Sequence, residues 1–357
     1  MFRRFFLSLA LVFSIYVVYG LFIKQARILP SELKSAFVDL GGDAKQIHLP
    51  GLFEIGTIPG VVKSEDGYLM VYRAEYRSFF DYLIKHITMH RNKSLGLCRL
   101  NHDLQVVSAP IYLSESAPGI KRSKHSPNDP RLIKCQERYF TFYNDRAYVE
   151  EVGYVRKMYM CEVFPDRFGT AKILTFQESA LFTVKGKKFH HVEKNWSPFI
   201  YQGKIYLVYL IEPHVIVKLD IDTGVCELVE ENESKKIWDF GIARGGTPCV
   251  QIGNEYLSLF HSPYQVTCLG HSHKNAYIMG AYWFSAEPPF KITRMTKRPL
   301  SSYTFYSGLR KFIFPSSLID EGDDLLIFYG RDDKEIWALK VPKDKLEAFS
   351  EFGDFIK

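Results

Sequence analysis

YLMVYR, residues 68–73, is the first of five related stretches. The others are YFTFYN (139–144), IYLVYL (205–210), YLSLFH (256–261) and LLIFYG (325–330). Each follows a turn, runs as a short strand of aromatic and branched apolar residues, and ends on an aromatic residue plus one more. Their starts are 71, 66, 51 and 69 residues apart, room for about four strands per unit. Helical periodicity is nearly absent beyond residue 40. The reading is all-β: a five-bladed β-propeller, with a pair of β-sandwiches as the runner-up. In a propeller the equivalent strand ends converge on the central channel. The terminal residues Arg73, Asn144, Leu210, His261 and Gly330 therefore become candidates for a common pocket; the plain alternative is that these ends simply emerge into solvent.

Working outward, 46% hydrophobic and 15% aromatic residues in a chain of 357 allow a large core and exclude a disordered protein. The net charge of +6 is mild and its basic residues are spread, which argues against a nucleic-acid partner. Phe5–Ile23 is uncharged and apolar, long enough to span a bilayer as one helix. Arg3 and Arg4 precede it, which predicts a single-pass signal-anchor with a cytosolic N-terminus in an unspecified membrane, although Lys24 and Arg27 follow closely. A cleaved signal peptide is the rival reading. The expected organisation is a cytosolic tip and transmembrane anchor (1–27), a linker (28–49), the propeller as catalytic domain (50–345) and a tail (346–357). Six scattered cysteines, none in CxxC spacing, read as free thiols, most of them in apolar surroundings.

Five segments look unlike generic sheet. SPNDPRL (126–132) fixes a carboxylate, Asp129, before a proline, with Arg131 two residues on; an Asx-type turn would explain it equally. EKNWSPF (193–199) places Glu193, Lys194 and Asn195 side by side, either an anion-binding group or a solvated charge pair. RGGTP (244–248) carries two glycines that permit close backbone approach. YIMGAYWF (277–284) precedes a PPF, and FYGRDD (328–333) closes the last repeat on two carboxylates. No P-loop, GxGxxG, GxSxG, HExxH or CxxC pair stands in a suitable context. The pairs His190–His191 and His271–His273 lack evident companion ligands, so no metal is assigned.

In this order, DPR, EKNW-PF, a strand ending in His, Y-x-x-G-A and YG-x-x-D resemble the β-mannoside phosphorylases, glycoside hydrolase family 130, and their mannosyltransferase relatives, over roughly residues 50–340. The resemblance implies a five-bladed propeller with a single catalytic acid, Asp129. It implies that Arg73 and Asp333 bind the sugar, with Asp332 as a close alternative and Asn195 beside them. It also implies that Lys194, His261 and Tyr277 line a phosphate pocket; Arg244 joins them from its expected place rather than from a motif. An inverting hydrolase needs an acid and a base, whereas a phosphorylase needs only the acid, because phosphate is the nucleophile and cations hold it. Ile58-Pro59-Gly60 departs from the family's Asn-Pro-Gly, and Asn128 stands where Glu or Tyr is usual.

The expected function is thus a carbohydrate-active enzyme making or breaking a glycosidic bond, of a mannoside, by inverting phosphorolysis or glycosyl transfer. It would use no cofactor, with phosphate or a sugar-phosphate or nucleotide donor as co-substrate. Water with Glu193 as base is a further variant. From a different class, a non-catalytic propeller that binds a glycan or a protein at the membrane stays open; Asp129, Lys194 and His261 together argue against it.

Overall fold

The computed structural model describes residues 11–12, 14–15, 26–51, 54–76, 92–113, 126–150, 153–176, 192–232, 238–268 and 273–352. Among these the strands form five sheets, almost all antiparallel. The first is Glu54–Ser64, Gly67–Tyr76, Asn92–Leu100 and Ile111–Tyr112. The second is Asn128–Cys135, Arg138–Val149, Gly153–Phe164 and Arg167–Ile173. The third is Ser197–Tyr201, Lys204–Leu210, His214–Leu219 and Val225–Asn232, edged by Thr175–Phe176. The fourth centres on Glu255–Cys268 and His273–Ser285, and the fifth is Ile313–Glu321, Asp324–Arg331 and Glu335–Pro342, edged by Asp43–Ile47.

Each repeat falls in a different sheet, as the strand that pairs with the innermost one. The reason is burial on both faces: Tyr72, Phe142, Leu207, Leu259 and Ile327 are all fully enclosed, and such a strand reads as a continuous apolar run. The innermost strands pack side by side. Glu54–Ser64 meets both Asn128–Cys135 and Ile313–Glu321, Asn128–Cys135 meets Ser197–Tyr201, and Ile313–Glu321 meets Glu255–Cys268. Sheets stacked face to face in this way give a propeller-like, all-β fold. The aromatic segments fill the gaps between sheets. Phe199, Tyr256, Phe284 and Phe290 form one ring cluster at centroid distances of 4.8–5.5 Å between Phe199 and the other three, which gives the last residue of YIMGAYWF and the phenylalanine of PPF a packing role. All six cysteines are buried and free.

Two expectations about the chain ends change. Residues 28–49 are not a linker. Arg27–Ile28 pairs with Cys268 and Thr267, Val38–Asp39 with Leu300 and Ser301, and Asp43–Ile47 with Lys340–Ile336. Leu29, Leu33, Val38, Leu40 and Ile47 are buried. The strand is hard to read because only one residue of DAKQI is buried. The tail from 346 likewise begins in structure, with Leu346 enclosed and Ser350–Phe352 pairing with Thr296–Arg294. Among the described residues no helix is long and apolar enough to cross a membrane. The Phe5–Ile23 segment lies outside them, apart from the helical Leu11, Val12, Ser14 and Ile15.

Deleting residues 1–25 should therefore leave the melting temperature nearly unchanged. Deleting 1–49 removes five buried aliphatic side chains, each contributing about 1.5–3 kcal/mol, and should lower it sharply or abolish folding. Equal stability of the two truncated proteins by thermal denaturation would refute the integral role of residues 27–47.

Candidate active site

Left-handed backbone gathers at one end of the inner strands. The ladder between the first two strands of the second sheet slips between Asn128 and Arg131, and Asp129 sits there at φ 56°. The first sheet has the same irregularity, with Ile58 at φ 53° between Thr57 and Gly60. Asn195 precedes the third sheet at φ 67°, and Asp332 and Asp333 follow the last repeat at 54° and 59°. Asp and Asn are the non-glycine types that tolerate this region. Such local cost is characteristic of sites where side chains must be aimed.

The aim of Asp129 is specific. Its Oδ2 accepts a 3.0 Å hydrogen bond from Asn144 Nδ2, and its Oδ1 lies 4.0 Å from Arg73 Nη1. The carboxylate is thus held by a second-strand side chain rather than by the local amides of an Asx turn. Asn144 is itself fixed by Arg156, whose Nη1 donates to Asn144 Oδ1 at 2.6 Å. Arg73 is buried and shared: Nη2 donates to Asp333 Oδ1 at 3.1 Å and lies 3.6 Å from Glu75 Oε1. Burial alone would push this guanidinium down, but Asp333, Asp129 and Glu75 hold it above its ordinary value. Lys93 completes the group, 3.6 Å from Glu75 and donating to Asn128 Oδ1 at 3.2 Å.

A second group of cations neighbours Asp129. Lys194 is exposed at its residue level, yet burial is the largest influence on its ammonium and lowers it; Asp129 counteracts, while Arg244 and Arg156 push the same way as burial. His261 is enclosed, and its Nδ1 has no hydrogen-bond partner among the described residues. Burial, then Arg131, Arg244 and Lys194, drive its imidazole well below the ordinary range, so it is neutral. Its ring lies 4.2 Å from Phe314 and 5.4 Å from Tyr277. Tyr277 in turn stacks at 4.6 Å on Phe312; burial raises its hydroxyl, opposed by Arg244. Arg244 pairs by backbone with His261.

The structure therefore brings Asp129, Arg73, Asp333, Lys194, His261, Tyr277 and Arg244 into one neighbourhood. It separates the two aspartates of the last motif. Asp332 accepts from the amides of Arg310 and Phe312 at 3.0 and 3.1 Å and fixes that loop, whereas Asp333 faces Arg73 and Arg310. Asn195 lies at the edge, its carbonyl oxygen 2.1 Å from where a Cβ on Gly245 would sit. The close approach permitted by that glycine is thus to neighbouring backbone, not to a ligand. Glu193 is buried and accepts from Tyr209 at 3.3 Å, pointing into the third sheet and away from the role of base. Of the remaining repeat ends, Gly330 lies against Thr57 and Ile58, and Leu210 packs in the core. Among the described residues no group of three or more His, Cys, Asp or Glu is placed to hold a metal; His190, His191 and His271 lie outside them.

Glu75, Lys93, Arg156 and Arg310 had no motif to mark them, since they lie in strands and turns of ordinary composition. Arg131 was visible in DPR but not its task. Fully buried, it donates from Nε to Gly246 O at 2.7 Å, from Nη2 to Gly245 O at 2.9 Å and from Nη1 to Asp129 O at 2.8 Å. Burial pushes its guanidinium down to about 10, with Asp129 opposing.

Four similarities to known proteins bear on the chain. The family described as Beta-mannosyltransferases matches residues 131–279, the stretch from Arg131 to just past Tyr277. Over that stretch the chain resembles the β-mannosyltransferases. Beta-mannosyltransferase 1 of Komagataella phaffii is 30% identical over 81 residues, which take in 20% of this chain and 12% of that protein; the match thus spans about an eighth of the relative. In fold, the chain resembles a protein solved in work on glycoside hydrolase family 130, described as mannoside phosphorylases that include hydrolases of β-1,2-mannosidic linkages. The TM-score is 0.55 at 13% identity, covering 89% of this chain and 97% of that one. It also resembles a GDP-Man-dependent mannosyltransferase from Leishmania mexicana, with TM-score 0.56 at 14% identity, covering 91% and 97%.

Arg131→Lys keeps the charge but cannot present three N–H groups in one plane. Given about 1.5–3 kcal/mol for a hydrogen bond to a charged group, the substitution should destabilise the protein by several kcal/mol in urea denaturation. An unchanged midpoint would show the three carbonyls to be satisfied without it.

Proposed function

We propose that this chain is a mannoside-active enzyme that works by inversion at a single carboxylate, Asp129, opposite a cation-lined pocket for an anionic group. The five sheets are read as the five blades of a closed propeller, and Phe5–Ile23 as the membrane anchor that tethers it with its N-terminus cytosolic. The observation that carries the reading is the company that Asp129 keeps. One carboxylate is held by Asn144 beside the Arg73–Asp333 pair and acts on Lys194, which neighbours Arg244 and neutral His261.

The same constellation runs in two directions. In bond making, Asp129 takes the proton from an acceptor hydroxyl as its oxygen attacks the sugar carbon in line, and the departing phosphate leaves into the cation pocket. In phosphorolysis, phosphate attacks from that pocket and Asp129 returns the proton to the leaving oxygen. Arg73 and Asp333 hold the reacting sugar. The sequence match to β-mannosyltransferases favours transfer; phosphorolysis is the second reading, supported by the likeness in fold to mannoside phosphorylases. In either, the second carboxylate of a hydrolase is replaced by charge-assisted hydrogen bonds to the anion.

Asp129→Asn tests this without disturbing the fold, because Asn tolerates the left-handed backbone as Asp does. Turnover of mannosides, with phosphate or with a sugar-nucleotide donor, should fall by about 10²–10⁴, while binding of the sugar persists. A normally stable and active Asp129→Asn protein would remove Asp129 from the chemistry. Lys194→Ala should weaken phosphate binding by about 1.5–3 kcal/mol, read by calorimetry; unchanged affinity would place the anion elsewhere.

A further inference from the structure

The first strand of the chain reaches the candidate site. Arg27–Ile28 pairs with Cys268 and Thr267, on the part of Glu255–Cys268 that continues past His261. The Arg27 amide donates to Leu309 O at 2.9 Å, in the loop whose Arg310 and Phe312 amides are held by Asp332. In the same loop Lys311 O accepts from the amide of Tyr277 at 2.9 Å. From this position the Arg27 guanidinium lies over the ring of Phe312, 4.4 Å from its centroid. Phe312 is followed by Tyr277 at 4.6 Å, Tyr277 by His261 at 5.4 Å, and His261 by Phe314 at 4.2 Å, with interplanar angles of 30–35°. Arg131 closes the far end, 5.7 Å from the Phe314 centroid. Two guanidinium groups thus bracket a run of four tilted rings. Two of those rings, Tyr277 and His261, belong to the anion pocket.

The run leaves the core as it goes outward. Phe314 and His261 are enclosed, whereas Tyr277 and Phe312 are half-buried. Core packing therefore fixes the inner pair more firmly than the outer pair. A guanidinium over an aromatic face is attracted by the ring's quadrupole and restrains it. Arg27 holds that place at a cost. Its Nε and Nη1 are buried and have no hydrogen-bond partner among the described residues. Burial is the largest influence on the guanidinium and lowers it below its ordinary value; Cys268 opposes, and Arg310, Asp332 and Asp333 also act on it. Leaving the N–H groups of a charged side chain dry and unpaired is unfavourable. An apolar side chain would cover Phe312 without that penalty, so stability alone does not account for an arginine here. What the arginine adds is a charge that fixes the ring beside Tyr277.

We propose that Arg27 is a positioning residue of the anion pocket, holding Tyr277 and, through it, His261 by way of the Phe312 ring. The proposal rests on the pocket reading above. It makes the first strand part of the site as well as part of the fold. In the sequence Arg27 reads only as a charge flanking the apolar segment, and no motif marks it or Phe312.

The test uses variants of the full chain and two readouts. One is the affinity for inorganic phosphate by titration calorimetry. The other is the His261 ring signal by NMR without ligand, assigned by difference from His261→Gln. Arg27→Ala should weaken phosphate binding roughly three- to thirtyfold, the range of a cation over an aromatic ring, and should shift the His261 signal. Arg27→Lys, which keeps the cation, should retain most of both. Phe312→Leu should reproduce the loss and Phe312→Tyr should not. Combining Arg27→Ala with Phe312→Leu should cost no more than either alone, since both act through one contact. The melting temperature certifies the fold of each variant; if Arg27→Ala does not fold, the two Phe312 variants carry the test. The proposal is overturned if Arg27→Ala binds phosphate as the wild type does, whatever its melting temperature, or if its His261 signal stays in place. It is equally overturned if the two losses add. A wild type that binds no phosphate would instead sink the anion-pocket reading, while the NMR comparison would still decide whether Arg27 sets His261.

Discussion

A single buried cation holds the middle of this molecule. Arg131 has no carboxylate within ion-pair distance among the described residues; it is satisfied by three backbone carbonyls, from Asp129 in its own sheet and from Gly245 and Gly246 in the fourth. Its guanidinium also lies 5.7 Å from the ring of Phe314 in the fifth sheet. Sheets in a radial stack share few main-chain hydrogen bonds, so a side chain that bonds main chain across the stack sets their relative positions. Gly245 and Gly246 must be glycine for the same reason: any Cβ there would strike Asn195 O or Leu259 O. The anchor is therefore upstream of the chemistry. It fixes the carbonyl of Asp129, and with it the direction in which the carboxylate leaves the strand.

From that point the site divides into two charged groups. In one group, the carboxylates Asp333, Glu75 and Asp129 are matched by Arg73, Lys93 and Arg310. In the other, Lys194, Arg244 and Arg156 lie near one another with Asp129, and burial and these cations drive the His261 imidazole well below its ordinary range. A neutral sugar fits the first environment through hydrogen bonds to fixed donors and acceptors. An anion fits the second. On the proposed reading, having both environments beside Asp129 would let one carboxylate serve where hydrolases use two.

Much of this was legible in the chain, and for definable reasons. The repeats announced themselves because strands enclosed on both faces are apolar throughout, and their last residues pointed to Arg73, Asn144 and His261. Asp129, Lys194 and Asp333 stood in short motifs whose order carried information that no one motif did. What escaped was encoded in alternation rather than in motif. Asp43–Ile47 buries only one residue, so it resembled a linker. Asp332 and Asp333 are chemically identical neighbours, and only the loop amides of Arg310 and Phe312 separate the structural aspartate from the one facing Arg73. Arg156 is one basic residue among several in an ordinary strand, and its bond to Asn144 exists only once the hairpin is paired.

The way the last sheet is completed bears on how the chain reaches this state. Ile47 pairs with Ile336, and Lys340 with Asp43, so the outer edge of the final sheet comes from near the start of the chain and its other three strands from near the end. Closing a loop of that length costs about 5 kcal/mol in chain entropy beyond the constant term, and nothing repays it until both halves exist. Contacts of such high sequence separation make for slow folding. During synthesis the early strand waits, unpaired, until Glu335–Pro342 has been made. The intermediate sheets can assemble in order, but the last sheet stays incomplete. Interruption near the C-terminus would leave Glu335–Pro342 missing and the waiting edge free to pair with another copy, the failure expected of long β proteins.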